Sequence, residues 1–428
     1  MCDISFSFIE HKGKNMYILG ISALYHDAAA AVIEDGEIIA AAQEERFTRI
    51  KHDSSFPEHA IRYCMNEAGI TEKDLQCVVY YENPCIMMNR FAENLKWLGQ
   101  DAIPLIKRSF QDYAAHKLWI HKKAENALCG LGMNGSLFVT EHHISHAASA
   151  FYPSPFEQAV ILTVDGVGEW ATTAIGIGNG NRLELKEEIT YPDSIGLFYS
   201  AFTYFCGFKV NSGDYKFMGL APYGKPVYYD IIKEKMIKIL PDGSYKMNME
   251  YFDYWCGGTM INKEKFSHLF GGPRREPEGR ITEREMNIAA SVQKIVEEIL
   301  ILIVKHAKEK YGQGVDNLVL AGGVALNCVA NGKILKEQIF KNIWIQPAAG
   351  DAGGALGAAL YTYYMHYGKQ RKVLISDSQK GSYLGPGYSP DEVETYLSQK
   401  GYPYHSFKSN HNLYDAIARE LSEKKLPV

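Results

Sequence analysis

The sequence predicts an α/β protein built from a duplicated lobe. A strand, loop, strand, turn, strand order near the start recurs in the middle of the chain. From Thr282 onward, helices and buried strands alternate as α/β crossovers do. With 428 residues, 46% hydrophobic and 22% charged, the composition is globular and the chain is long enough for two or three packed units.

Met1 to Asn15 is polar and patternless, and Met16 opens directly into a strand. Met16 therefore reads as the natural start, and residues 1–15 as an N-terminal extension. The first copy is a strand at Tyr17-Ile-Leu-Gly-Ile, a loop through His26 and Asp27, a strand Ala28 to Glu34, a turn at Asp35-Gly36, and a strand Glu37 to Ala42. Asp-Gly between apolar runs is a strong hairpin signal. Pro57 to Ala68 is a helix stopped by Gly69, and Leu75 to Tyr81 a strand.

The second copy has a strand ending Leu162-Thr-Val164, a loop Asp165-Gly-Val-Gly168, a strand Ala171 to Gly178, a turn at Asn179-Gly-Asn181, and a strand from Leu183. Each copy ends its first strand in a loop where backbone N–H groups can face an anion and a carboxylate can hold a cation. Two such loops facing each other make a phosphate clamp. The pattern resembles the actin-like, sugar-kinase-like fold, in which duplicated lobes close on ATP. Two unrelated hairpins are the alternative.

Ile195 to Arg280 is less regular and rich in Tyr, Phe and Gly, and reads as an insertion shaping a substrate pocket, with its aromatics in that pocket or in the core. Thr282 and Glu285 form a capping box ahead of a long helix to about Tyr311. The strand Leu318-Val-Leu, the loop Ala321-Gly-Gly-Val-Ala-Leu-Asn327, the strand Ile343-Trp-Ile-Gln346 and a helix from Asp351 complete a domain expected over residues 16–371. Residues 372–428 read as a linker and the start of a second domain, with helices after Ser389 and over Leu413 to Lys424.

A net charge of −5 gives no general pull toward nucleic acid or anionic membrane, so neither is an expected partner. The longest apolar stretch, Ile299 to Val304, is too short to span a bilayer. Eight cysteines without a CxxC pair fit reduced thiols and a cytoplasmic location. GxxxxGK[ST] is missing, which excludes a P-loop.

In Glu141-His-His-Ile-Ser-His146, His142 and His146 are four residues apart on one helical face. That spacing suits a shared metal ion, iron(II), manganese or zinc, and polar packing is the other reading. Asp351, among the glycines of Gly350-Asp-Ala-Gly-Gly354, is the best third ligand or else an N-cap; Asp165 is a fourth ligand or a phosphate-metal bridge. Gly166, Val167, Gly168, Gly322, Gly323, Gly353 and Asn327 lie where glycine lets backbone approach a nucleotide and Asn327 can hydrogen-bond it.

Several ordered motifs resemble the nodulation-factor and antibiotic O-carbamoyltransferases: Gly20-Ile-Ser-Ala-Leu-Tyr-His-Asp27, Glu44-Glu-Arg-Phe-Thr-Arg-Ile-Lys-His52, His142 to His146, Val164 to Trp170, Lys216-Phe-Met-Gly-Leu-Ala-Pro-Tyr-Gly224, Gly322 to Asn327 and Gly350-Asp-Ala-Gly. The resemblance covers nearly everything after Met16. It implies an actin-like N-terminal lobe similar to the tRNA threonylcarbamoyl transferase, joined to a YrdC-like α/β lobe of which residues 372–428 are the beginning. The implied reaction cleaves carbamoyl phosphate with ATP, forms carbamoyl-adenylate and pyrophosphate, and passes the carbamoyl group to a hydroxyl of a sugar-containing or natural-product acceptor.

On that resemblance His142, His146, Asp351 and Asp165 hold the metal, with Mg2+ accompanying ATP. His26, beside Asp27 in the first loop, is the expected general base, its other reading being a structural loop histidine. Lys51 is expected on the phosphates, its other reading being a solvated charge, and Lys216 and Gly219 line the ribose or acceptor side. The YrdC-like lobe's Gly-Pro-Arg-Ala-Leu-Gly type motif for carbamoyl phosphate is not reached. The expectation is therefore binding of ATP and metal without the complete reaction. The acceptor and the oligomeric state, a homodimer included, stay open. The alternatives are a tRNA threonylcarbamoyl-type transferase, a hydrogenase-maturation carbamoyltransferase and a non-transferase actin-like switch.

Overall fold

A computed structural model describes residues 15–99, 119–135, 137–256 and 259–423. The N-terminal extension thus lies almost wholly outside the described residues. The first lobe begins with β1 (Tyr17–Ser22), β2 (Ala29–Glu34) and β3 (Glu37–Gln43), an antiparallel meander whose tight turn uses positive φ at Asp35 and Gly36. After α1 (Glu45–Thr48) and α2 (Glu58–Ala68), β4 (Leu75–Tyr80) returns parallel to β1. Helices α3 (Pro84–Leu98) and α4 (Ile120–Gly130) precede β5 (Leu137–Val139), parallel to β4, and α5 (His142–Phe151).

The second lobe repeats this plan. An antiparallel meander of β6 (Gln158–Val164), β7 (Ala171–Asn179) and β8 (Arg182–Thr190) is followed by α6 (Ile195–Phe205), α7 (Asp214–Leu220), α8 (Tyr229–Lys235), β9 (Ile237–Ile239), β10 (Tyr245–Met247), α9 (Lys263–Leu269) and α10 (Glu283–Tyr311). Then come β11 (Asn317–Ala321), parallel to β6, α11 (Cys328–Lys336), β12 (Asn342–Ile345), parallel to β11, and α12 (Asp351–Tyr361). The sheets run β3-β2-β1-β4-β5 and β8-β7-β6-β11-β12. Strand for strand, order and direction are the same, which makes this the duplicated actin-like architecture.

The two copies meet through α5 and α12. These helices pack on each other, α12 also against β1 and β2, and α5 against β6 and β11. Their contact is close because a Cβ on Gly357 would collide with the Ser145 carbonyl, and one on Gly20 of β1 with the Ala355 carbonyl. Glycine is required at both crossings.

Ile195 to Arg280 is more ordered than its sequence suggests. Its aromatics Phe198, Phe202, Phe205, Phe252, Phe266 and Phe270 are fully buried in edge-on and tilted contacts beneath α10, forming the core of the second lobe. Glu285 accepts from the Thr282 backbone N–H and hydroxyl at 2.9 and 2.6 Å, starting α10 where its capping box predicts.

Residues through Gly385 form one compact unit and those from Pro386 a second. The stretch after Lys372 is tied into the first unit: Lys380 donates to the Ile38 carbonyl, Gln379 to Gln346, and Ala41 N–H to the Leu384 carbonyl. The second unit holds α13 (Pro390–Lys400), whose capping box of Ser389 and Glu392 is formed, and α14 (Asn410–Ser422). Among the described residues no helix is long and apolar enough to cross a membrane.

Candidate active site

Four buried side chains converge where α5 and α12 meet the end of β6. His142 and His146 lie one turn apart on α5, Asp165 follows β6, and Asp351 is the first residue of α12. His142 Nε2 is 3.0 Å from His146 Nε2, 3.2 Å from Asp165 Oδ2 and 3.7 Å from Asp351 Oδ1. His146 Nε2 is 3.6 Å from Asp351 Oδ1 and 4.0 Å from Asp165 Oδ2. Asp165 spends its other oxygen on the Gly323 N–H at 2.7 Å, and Asp351 accepts from the Tyr81 hydroxyl at 3.3 Å.

This donor set fits a divalent cation. At a ligand distance of about 2.1 Å, donors at right angles lie about 3.0 Å apart and opposed donors about 4.2 Å, a range that contains each of the histidine–histidine and histidine–aspartate separations above. Two neutral imidazoles and two carboxylates also balance a 2+ charge, and mixed nitrogen and oxygen donors suit iron(II), manganese or zinc. His143, between them, is engaged elsewhere, at 2.7 Å from Thr163 Oγ1 and 2.9 Å from the Ala171 carbonyl. Burial and the flanking histidines push its pKa down to about 3, so it stays a neutral structural residue.

The electrostatics of the cluster are those of charges awaiting a counter-charge. Burial opposes ionisation of Asp165, yet its hydrogen bond from His142 and the imidazoles hold it well below the ordinary carboxylate range; Asp351 is lowered by His26 and His142 against the same burial. His142 is raised well above an ordinary histidine because Asp351, Asp165 and Glu82 outweigh its desolvation.

His26 continues the cluster toward solvent. Its Nε2 is 3.5 Å from Asp351 Oδ2, its Nδ1 is 2.8 Å from Asp27 Oδ2, and Asp27 Oδ1 is 2.7 Å from His52 Nδ1. Burial lowers the His26 pKa, but Asp351 and Asp27 overcome it and bring it to about 9. Beside these groups opens a cleft of about 380 Å³, lined from both repeats by His26, Lys51, Gly166, Val167, Gly323 and Asn327 among others. A cleft of this size accommodates a small ligand.

The profile of the family described as carbamoyltransferase N-terminus matches residues 17–360. The chain belongs to that family. An uncharacterized protein of Synechocystis sp. is 49% identical over 95% of the chain and 66% of its own length. The nodulation protein NolNO of Sinorhizobium fredii is 36% identical over 78% of the chain and 46% of its own length. The chain therefore spans about half to two thirds of these relatives. Among solved structures, component A of the Acidaminococcus fermentans (R)-2-hydroxyglutaryl-CoA dehydratase is similar at 16% identity and a TM-score of 0.42, covering 81% of this chain and 98% of that one.

Within this carbamoyltransferase domain not every residue singled out in the sequence reaches the cleft. On α7, Asp214, Tyr215 and Met218 line it, whereas Lys216 and Gly219 are exposed and are not among its lining residues. Gly168 and Gly322 sit behind the cleft: a Cβ at Gly168 would press on the His142 ring at 2.9 Å, and Gly322 turns at φ +90° against Val164. Gly353 is buried, where a Cβ would strike the Ala348 carbonyl, so this glycine serves the start of α12. Asn327 lines the cleft, yet its amide is paired with Gln293 at 2.9 and 3.0 Å and caps α11 through the Ala330 N–H.

Lys51 is on the rim, two-thirds exposed and 4.0 Å from Glu45. Sequence reading gave no role to Tyr81, Glu82, Glu169 and Gln293, of which Tyr81 bonds Asp351, Glu82 and Glu169 adjoin His142, and Gln293 pairs with Asn327. The run Tyr80-Tyr-Glu-Asn-Pro84, polar residues where a strand meets a helix, and the Val164 to Trp170 motif that contains Glu169 offered the signals.

Proposed function

We propose that this carbamoyltransferase domain binds ATP in the cleft and a divalent metal, iron(II) before manganese or zinc, on His142, His146, Asp165 and Asp351. It is the part of an ATP-dependent O-carbamoyltransferase in which a hydroxyl of a saccharide or natural-product acceptor takes the carbamoyl group. Carbamoyl phosphate would be the donor and carbamoyl-adenylate the activated form. The observation that carries this reading is a two-histidine, two-carboxylate cluster on the wall of a cleft built by both repeats, in a chain of this family.

Gly166, Val167 and Gly323 line the cleft beside Asp165, and glycine there lets a phosphate approach the backbone closely. When bound, the ion supplies Lewis-acid charge beside the phosphates and offsets the carboxylate field that otherwise keeps His26 protonated. His26 then accepts the acceptor's hydroxyl proton at a ring nitrogen, with Asp27 orienting the ring and Lys51 at the rim drawing anions inward. The resemblance further assigns residues 372–428 to a linker and a YrdC-like domain serving carbamoyl phosphate, and a cytoplasmic location goes with the reduced cysteines.

Calorimetry of ATP binding with and without iron(II), beside a carbamoyl phosphate titration, tests the assignment. Metal-dependent ATP binding, lost in His142→Ala, is the expected result. ATP binding indifferent to metal and to His142→Ala would favour an actin-like switch instead.

A further inference from the structure

We infer that Glu82 is the positioning carboxylate of the metal site, holding His142 in the tautomer that turns its Nε2 lone pair toward the ion. The inference rests on the metal-site reading and deepens it.

A ligating imidazole coordinates through one nitrogen and must keep its proton on the other, and an acceptor facing that N–H both orients the ring and makes it a stronger donor to the ion. In His142 the converging atom is Nε2, which leaves Nδ1 for the proton. Nδ1 is fully buried without a hydrogen-bond partner, and the nearest carboxylate is Glu82, with Oε2 3.7 Å away. Glu82 is itself buried, at 6% exposure, on the side of the ring away from Asp165 and Asp351.

The neighbouring carboxylate has a different task. Glu169 receives the His142 backbone N–H at 2.9 and 3.0 Å and the Asn83 N–H at 2.7 Å, so it anchors the first turn of α5 and ties it to the residue beside Glu82. Gly168 makes room for the same ring. The backbone of His142 is thus held by Glu169, its front by the ligand cluster, and its back by Glu82. Closing 3.7 Å to a hydrogen bond needs only a small rotation of either side chain.

The test uses the full chain and cobalt(II), whose absorption reports coordination. Glu82→Gln keeps the shape and a weaker acceptor; Glu82→Ala removes the acceptor. Cobalt affinity, measured by competition with a chelator, is expected to fall about 10-fold in Glu82→Gln and about 100-fold in Glu82→Ala, while Glu82→Asp recovers part of the loss. In the zinc-loaded protein, nitrogen NMR of the His142 ring is expected to show a protonated Nδ1 whose resonance moves in Glu82→Gln, a readout that loss of packing would not shift selectively. Wild-type cobalt affinity and an unmoved ring signal in Glu82→Gln would overturn the inference while His142→Ala still abolished binding. Cobalt binding that survives both His142→Ala and His146→Ala would overturn the metal-site reading itself.

Discussion

At the scale of residues, the site is a balance of buried charge. Removing the Asp351 charge with Asp351→Asn leaves two imidazoles and one carboxylate, and is expected to abolish any iron(II)-dependent rise in melting temperature while the metal-free fold persists. Differential scanning fluorimetry with and without metal decides this. The pH dependence of the metal-free protein has a definite sign. His26 has its pKa raised from 6.5 to about 9, so its stabilisation is complete below pH 6.5 and is lost as pH rises toward 9. Stability should fall across that window by on the order of 2 kcal/mol, and His26→Asn should flatten the slope. A metal-free melting temperature that is constant or rising from pH 6.5 to 9 would contradict the pairing of His26 with Asp351 and Asp27.

At the scale of elements, α5 and α12 carry three of the four ligands, so their crossing decides whether the site exists. Gly357→Ala puts a methyl into the Ser145 carbonyl and should cost about 1–3 kcal/mol through helix displacement. Because the crossing also spaces Asp351 from the histidines, the same change should weaken metal binding, read by chelator competition. Alpha10 gives a contrasting case: Glu285→Ala removes the acceptor at its capping box and should lower stability by about 1 kcal/mol with metal affinity unchanged. Urea melts of both variants separate a local cap from a crossing coupled to the site.

At the scale of the whole molecule, the ligands tie the two repeats together. Asp165 ends the first strand of the second lobe, and Asp351 opens a helix packed on the sheet of the first. A divalent ion at 100 times its dissociation constant should therefore stabilise the domain by about 2.7 kcal/mol. Hydrogen exchange should slow at β1, β6, α5 and α12 together. Protection limited to α5 would mean that the ion is held by the histidines alone.

The sequence by itself determined the two meanders, since apolar alternation and turn chemistry are local and each encodes its own hairpins, while the matching strand order that makes them a duplication came from the structure. It also determined the His142 and His146 pair and the start of α10 at its capping box, because helical spacing and capping act within a turn or two. Only the tertiary structure decided what depends on residues distant in sequence. It brought Asp165 and Asp351 to within 4.8 Å of the histidines, assigned the aromatics of Ile195 to Arg280 to a core, and made Gly353 and Gly357 packing glycines. It also placed Glu82 behind His142, which the polar run at the end of its strand did not specify. The physical reason is that a strand or turn is selected by its near neighbours, whereas the use of a carboxylate, an amide or a glycine is set by what packs against it.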